Sequence, residues 1–144
     1  MYNYLETPAV AIELADGQLV TGRTTELFGA ASAAVLNALK TIAGIDDAIK
    51  LIAPDVIASI QTLKTDYMKS RNPRLHTDEM LVALAISAAG DPNAQKAMQA
   101  LDKLKCCEVH STVILYSVDD VVFKRLGMRL TCEPVYEKNS LYHK

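Results

Sequence analysis

The stretch "AVAIELADGQLVTG", Ala9 to Gly22, contains two short runs of alternating apolar residues on either side of an Asp16-Gly17 pair. Alternation with a period of two is typical of a strand with one buried face, and Asp-Gly favours a tight turn between paired strands. The stretch therefore predicts an antiparallel β-hairpin. A hairpin alone is marginally stable, so the segments that follow must supply the layer that covers its apolar face.

The segments after the hairpin predict a helix, a strand and a second helix. From Thr25 to Gly44 nearly every residue is small or apolar, and glycine suits the end of a helix. "IKLIA", Ile49 to Ala53, is short, apolar and followed by proline, and it predicts a buried strand. Pro54 to about Met68 predicts a helix with the apolar stripe Val56, Ile57, Ile60, Leu63 and Tyr67. In the first helix, the small residues that would let another backbone approach closely are Gly29, Ala30, Ala33 and Ala34.

The middle of the chain predicts two more helices. Thr77 is a natural capping residue, and the acidic residues Asp78 and Glu79 complement the dipole of a helix that runs to Ala89. The body of that helix, "MLVALAISAA", has Ser87 as its one polar residue, which predicts a central helix buried on all sides. "DP" at positions 91–92 begins the next helix, which has the one-sided apolar stripe Ala94, Ala97, Met98, Leu101 and Leu104.

The last third predicts a strand, a helix and a strand. "CEVHSTVILY" is rich in β-branched residues, Ser117 to Asp120 resembles a capping box, and Gly127 ends a short helix before "MRLTCE". The resulting order, β-β-α-β-α-α-α-β-α-β, predicts an α/β or α+β fold with a small mixed sheet and about five helices. We expect residues 1–136 to form one globular domain and residues 137–144 a loose tail.

The composition narrows the class of protein. The 144 residues include 15 basic and 17 acidic ones without a block of like charge, which argues against a nucleic-acid surface and an anionic-membrane surface. Three cysteines and no signal peptide favour reduced thiols in the cytoplasm. The apolar run from Met80 to Ala89 is about half the length of a membrane span. Because 50% of the residues are hydrophobic, either the core is large or a partner covers an apolar face.

The stretch "SRNPRLHTDEM", Ser70 to Met80, is the first candidate site. It combines acid-base groups with groups that would hold an anion or substrate, namely His76, Asp78 and Glu79 with Arg71, Asn72 and Arg74. Such a combination is typical of active sites. The structural alternative is that Asn72-Pro73 forms a turn, Thr77 caps the helix and the two acids only complement its dipole.

The second candidate is "CCEVHST", Cys106 to Thr112. On a strand, Glu108, His110 and Thr112 share one face, and Val109, Ser111 and Val113 share the other. A metal site would need further ligands from elsewhere, and no spacing typical of zinc sites is present, so we predict no metal. Buried thiols and a hydrogen-bonded histidine explain the same residues.

The third candidate is "TGRTTE", Thr21 to Glu26, at the transition from strand to helix. Backbone N–H groups at a helix start, together with Arg23, Thr24 and Thr25, would bind a phosphate or a carboxylate. The stretch matches neither of the common glycine-rich phosphate-binding motifs. Ordinary capping by Thr24 or Thr25 is the alternative.

Four blocks of the sequence closely resemble, in order, the C-terminal part of a bacterial family of uncharacterised proteins known as domain of unknown function 1846. The blocks are "PAVAIELADGQLVTGRTTELFGAASAAVLNALKTIAGID", "NPRLHTDEMLVALAISAA", "LKCCEVHSTVIL" and "LGMRLTCEPVY". The resemblance extends from about Pro8 to Tyr136. Members of the family are about three times as long and carry an upstream α/β region with a glycine-rich, phosphate-loop-like segment.

The resemblance implies that the chain is the C-terminal domain of a longer protein. Its apolar face would then dock on the upstream α/β domain or on a second copy of the chain, as a homo-oligomer. His76, Asp78, Glu79, His110 and Ser111 stand within the family pattern, as candidates for a shared site. Lys50 departs from that pattern, because the family has a histidine there, which argues against a scheme that needs a third histidine.

Three functions follow as hypotheses, and the sequence does not decide whether the chain is part of an enzyme. The first is a docking and substrate-shaping domain of a nucleotide-dependent enzyme, in which Arg74, His76, Asp78 and His110 line the cleft between domains. In that case the chain itself carries no cofactor, and the upstream part binds the nucleotide. The second is a structural or oligomerisation module without chemistry. The third and weakest is a metal-dependent hydrolase.

Overall fold

A computed structural model describes residues 8–136, which form a four-stranded sheet and five α-helices. The strands are β1 (Ala9–Glu13), β2 (Leu19–Arg23), β3 (Glu108–Ser111) and β4 (Arg129–Cys132). The helices are α1 (Ala30–Ala43), α2 (Pro54–Thr62), α3 (Thr77–Ala88), α4 (Pro92–Gln99) and α5 (Ser117–Arg125). A π-helical turn, Leu63–Tyr67, continues α2, and a 3₁₀ turn, Ala100–Leu104, continues α4. This architecture confirms the predicted α/β class. The predicted tail, residues 137–144, lies outside the described residues.

The strands lie in the order β2-β1-β3-β4. β1 runs antiparallel to both β2 and β3, and Ile12 lies opposite Val20 in the predicted hairpin and opposite Val109 on the other side. β3 and β4 are parallel and are connected through α5. The sheet is therefore mixed, as the sequence predicts, and its hairpin forms one edge.

One face of the sheet is buried under helices, and the other face is open. Val10, Ile12 and Val109 on the buried face are at most 1% exposed. Gly22 lies opposite Val10 and faces α1 so closely that a β-carbon there would lie 2.1 Å from the backbone nitrogen of Ala34. This contact confirms the close approach predicted for the small residues of α1. The open sheet face carries the exposed residues Thr21, Glu108, His110, Arg129 and Thr131.

Two predictions about the first half of the chain are wrong. The first helix begins at Ala30 and not at Thr25, because the intervening backbone pairs with the segment before α3, where Leu75 donates to the carbonyl of Leu27 at 2.9 Å. The segment Ile49–Ala53 is an irregular connection and not a strand. Leu51 and Ile52 are still buried, so apolar sequence correctly indicated burial but not the type of structure.

The central helix is α1 and not α3, which the sequence predicted to be the central one. Val82 and Ile86 of α3 are 59% and 55% exposed, so this apolar helix is not buried on all sides. The buried helix is α1, whose alanine-rich faces allow the sheet and the other helices to pack closely around it. On α2, the predicted stripe is buried only in part, since Leu63 and Tyr67 are largely exposed. No helix within residues 8–136 combines the length and the hydropathy that crossing a membrane requires.

Candidate functional site

The candidate site is built on the segment that leads into α3. Leu75 is fully buried and fixes this segment through its backbone, because its N–H donates to Leu27 and its carbonyl accepts from the Ser32 hydroxyl at 2.8 Å. The same carbonyl accepts from the N–H of Gly29 at 3.2 Å. Position 76, directly after this anchor, is therefore held in place by the core of the protein.

His76 is the N-cap residue of α3, and its ring contacts a carboxylate of another helix. Its Nδ1 lies 3.7 Å from Oδ2 of Asp119 in the first turn of α5. The other oxygen of Asp119, Oδ1, accepts from the backbone N–H of Thr77 at 3.0 Å and from its hydroxyl at 2.7 Å. Asp119 and Thr77 are buried, whereas the His76 side chain is 23% exposed.

The neighbours of the ring favour one orientation of its protons. Nε2 lies 3.5 Å from the amide nitrogen of Asn72, whose Oδ1 already accepts from the backbone N–H of Arg74. An amide nitrogen is only a donor, so in the neutral ring Nε2 is the acceptor and Nδ1 carries the proton that faces Asp119. Tyr116 contacts the ring edge-on, with 5.3 Å between the ring centroids. Asp119 thus faces the Nδ1 side of the ring, at a distance longer than a hydrogen bond, and Nε2 is the nitrogen left for proton transfer.

Each member of the pair changes the pKa of the other. The polar contact with Asp119 raises the pKa of His76 above its ordinary value of 6.5, against the lowering effect of burial. Burial acts to raise the pKa of Asp119, but the contact with His76 and the hydrogen bonds from Thr77 outweigh it and hold that pKa below 3.8. The shifts favour a charged imidazolium–carboxylate pair.

A second ion pair supports the same helix start. Lys64, whose side chain is 10% exposed, donates to Oε1 of Glu79 at 2.7 Å and to the carbonyl of Arg74. The same Glu79 oxygen accepts from the backbone N–H of His76 at 2.8 Å. Lys64 thus joins the π-helical turn after α2 to the residues on both sides of His76.

Two residues at the start of α3 have roles other than those predicted. Thr77 is the first helical residue and not the cap, because its hydroxyl binds Asp119 instead of a free N–H of its own helix. Asp78 is exposed, and its Oδ1 accepts from the N–H of Glu79 at 2.8 Å. Asp78 therefore lies in the first turn of α3, where it complements the dipole as the sequence predicts.

The structure does not bring His110 and Ser111 to the His76 side chain. His110 lies on the open sheet face, with Nδ1 2.7 Å from the Thr131 hydroxyl and Nε2 2.8 Å from Oε2 of Glu133. Ser111 is on the buried face, where its hydroxyl donates to the Val113 carbonyl at 2.6 Å. The predicted alternation of faces along this strand is confirmed, and it is also what separates the two residues.

Arg23 is the last residue of β2, and Thr24 and Thr25 lie in the loop that follows it and not at a helix start. The Thr25 hydroxyl accepts from the backbone N–H groups of Leu27 and Phe28, and its carbonyl accepts from Nε of Arg74 at 2.6 Å. Thr24 Oγ1 is buried without a hydrogen-bond partner among the residues described. The structure therefore does bring Arg74 and Thr25 together, although through the backbone of the threonine.

Asp119 and Lys64 are the residues that the sequence did not single out. Asp119 lies 43 positions after His76 in a stretch that predicts only helix capping, and Lys64 lies in a helix where lysine usually faces solvent. Buried charges of this kind become recognisable only once the helices are packed together. Within residues 8–136, no group of three or more histidine, cysteine, aspartate or glutamate side chains is arranged to hold a metal ion.

The structure defines the protein as an α/β domain that carries a largely buried His–Asp pair. Residues 2–142 match the family described as "Domain of unknown function DUF1846, C-terminal", and the chain belongs to that family. It is 56% identical over 137 residues to a UPF0371 protein of Corynebacterium diphtheriae, and 52% identical over 136 residues to one of Streptococcus thermophilus. These matches cover 95% and 94% of the chain, but only 28% of each relative. The chain thus corresponds to the C-terminal part of longer bacterial proteins.

Proposed function

We propose that this chain is the C-terminal docking domain of a longer bacterial enzyme, to which it contributes His76 and Asp119 as an acid-base pair. The observation that carries the proposal is the fixed ring of His76. Its Nδ1 faces Asp119, while its Nε2 lies near Asn72 in a side chain that remains 23% exposed. A histidine that is oriented, raised in pKa and reachable by solvent suits proton transfer to a bound substrate.

The docking part of the proposal rests on the apolar surface of the helical layer. Val82 and Ile86 of α3, together with Leu63, Tyr67 and Met68 near the end of α2, are each at least 50% exposed. Contiguous exposed apolar patches are typical of surfaces that a partner covers, and we propose that these residues form one. The upstream region, which makes up most of the length of the relatives, is the partner that we propose, with self-association as the alternative.

The chemical part of the proposal places the substrate between His76 and that upstream region. Asn72 borders the ring, and we propose that Asn72 and Arg74, whose Nε is bound to the carbonyl of Thr25, contact the substrate. We assign nucleotide binding to the upstream region, where the resemblance leads us to expect a phosphate-loop-like segment. We place the protein in the cytoplasm, which suits three cysteines that carry no disulfide.

The second candidate is a structural module. It is favoured by the hydrogen bonds that the carboxylates near His76 already make to other residues of the fold. Asp119 is bound by Thr77, and Glu79 is bound by Lys64, so both carboxylates already have structural roles. A module of this kind needs no substrate. The two candidates differ in what happens when His76 is replaced, because only an acid-base role makes turnover depend on it at unchanged stability.

A chimaera tests the docking. This chain replaces the homologous segment of the Corynebacterium diphtheriae protein, to which it is 56% identical. We expect one cooperative thermal transition, and slower amide hydrogen exchange in α3 than in the chain alone. Separate transitions together with unchanged exchange in α3 would contradict docking.

Nucleoside triphosphate hydrolysis by the same chimaera tests the chemistry. We expect His76→Gln and Asp119→Asn each to lower kcat at least about 100-fold, as loss of general acid-base catalysis does. Asp120→Asn is the matched control, because Asp120 is the next residue of α5 and, within residues 8–136, forms an ion pair only with Lys124. Equal turnover in all variants would leave the structural module as the function. Absence of hydrolysis in the unsubstituted chimaera would remove the nucleotide from the proposal.

A further inference from the structure

A pocket of about 190 Å³ lies between α1, α2 and the irregular connections that precede these helices. Its lining consists of Leu27, Phe28, Leu36, Lys40, Lys50, Leu51, Ile52, Pro54 and Ile57. We call it the lysine pocket. It includes none of the residues that form the site around His76, so it is a separate feature of the fold.

The walls of the lysine pocket are mostly apolar, and several of the residues that form them are buried in the hydrophobic core. Leu51, Ile52 and Ile57 are at most 5% exposed, and Leu36 of α1 is 8% exposed. These residues belong to the main hydrophobic cluster, so this part of the pocket wall is preformed. A preformed apolar cavity with a few polar groups at its edge is the usual form of a small-molecule site.

The charged groups of the lysine pocket are all positive. Lys40 and Lys50 are the two ionisable residues of its lining. Nζ of Lys40 donates one hydrogen bond, to the carbonyl of Asp47 at 3.0 Å, and an ammonium group has three donors. Lys40 thus keeps donors for a ligand beside the exposed Lys50.

Two of the nearby carboxylates make contacts elsewhere. Asp46 accepts from the backbone N–H of Ala48 at 2.9 Å and so turns toward its own loop. Asp55, next to Pro54, lines a different groove of α2 together with Ala58 and Thr62. The charged residues of the lining itself are both lysines, and this positive charge favours an anion.

We propose that the lysine pocket binds a small organic anion with an apolar body, such as an aromatic carboxylate. The apolar part would contact Leu51, Ile52 and Ile57, and the carboxylate would accept from Lys40 and Lys50. Sites for drug-sized ligands have volumes of about 300–1,000 Å³, so the occupant is smaller, with roughly ten non-hydrogen atoms. This inference is independent of the proposed function, because it requires neither His76 nor the upstream region.

Fluorine NMR of the whole chain tests the proposal with 4-fluorobenzoate, which has the proposed size and charge. For a ligand this small we expect a Kd of about 0.1–1 mM. The neutral 4-fluorobenzamide and the cationic 4-fluorobenzylamine should bind at least about tenfold more weakly, because neither carries the negative charge that the two lysine ammonium groups attract. Lys50→Gln should weaken benzoate binding about tenfold, and Lys124→Gln, on the exposed face of α5, should leave it unchanged.

Three outcomes would overturn the proposal. They are no benzoate binding up to about 10 mM, equal binding of the neutral analogue, and equal weakening by Lys50→Gln and Lys124→Gln. Chemical shifts of backbone amides in the Lys50→Gln variant verify that it is folded. A mapped binding position around Leu51 and Ile57 would support the pocket, and a position near His76 would contradict it.

Discussion

The backbone nitrogen of Ala34 lies 2.1 Å from the position that a β-carbon on residue 22 would occupy, so Gly22 is what lets β2 and α1 come into contact. Neither partner can yield easily. The atoms that would collide belong to the helix backbone, and Ala34 is fully buried. The hairpin and the central helix therefore approach each other most closely at this pair of residues.

Gly22→Ala should destabilise the fold by about 3 kcal/mol or more, at the upper end of the cost of overpacking, since a backbone must move. Urea unfolding measures the loss. Gly90→Ala is the matched control, because a β-carbon at Gly90 meets nothing within 4 Å. Its free energy of unfolding should change by less than about 1 kcal/mol. Similar values for the two variants would contradict the close contact.

From the sequence, the close approach of a backbone to α1 could be predicted, but the residue at which α1 begins could not. Gly29, Ala30, Ala33 and Ala34 indicated that another backbone approaches closely, because their side chains are small. The start at Ala30 depends on pairing between residues 27 and 75, which are far apart in the chain. Long-range pairing of this kind leaves no local signal. The apolar run that contains Leu51 and Ile52 did indicate burial, but it did not indicate that the backbone there is irregular.

Because His76 and Asp119 form a pair, the free energy of unfolding should fall both when the pH rises and when the pH falls from an intermediate range. A raised pKa for His76 means that its contribution is full below 6.5 and is lost as pH rises through the folded-state value. A lowered pKa for Asp119 means that its contribution is present above 3.8 and is lost as pH falls through the folded-state value. We therefore expect the pair to contribute most between 3.8 and 6.5.

Proton NMR of the His76 ring measures the pKa directly, and urea unfolding across the same pH range measures the stability. The titration midpoint should lie above 6.5 and should decrease in Asp119→Asn, which removes the carboxylate. His76→Gln should remove the loss of stability that occurs as pH rises through that midpoint. A midpoint at or below 6.5 in the unsubstituted chain would show that burial outweighs the contact with Asp119.

Lys64 and Glu79 should be strongly coupled, because the ammonium group is nearly buried and has few other partners. Lys64→Met and Glu79→Gln should each cost about 2–3 kcal/mol, somewhat less than a fully buried pair, since Glu79 is 29% exposed. The double variant should cost about 1–2 kcal/mol less than the sum. The cycle of Lys124→Met and Asp120→Asn, an exposed pair, is the control and should give a coupling below about 0.5 kcal/mol.

The site itself could be predicted only in part. His76 and its neighbours in "SRNPRLHTDEM" were recognisable because polar residue types cluster there directly before an apolar helix. Asp119 was not, since a carboxylate in the first turn of α5 is equally typical of ordinary capping. The alternation of strand faces gave the correct burial for His110 and Ser111. It did not indicate that the packing of α3 against α5 would bring His76 to Asp119, and not to His110 or Ser111.

Ser111 should act as a structural residue, because its hydroxyl is fully buried and bound on both sides by the backbone of Val113. It donates to the carbonyl at 2.6 Å and accepts from the N–H at 3.2 Å. Ser111→Ala leaves both groups without their partner and should cost about 1–3 kcal/mol in urea unfolding. Ser117→Ala at the exposed start of α5 is the control, with an expected change within about 0.5 kcal/mol. Loss of turnover by the chimaera at unchanged stability would instead assign Ser111 a part in the chemistry.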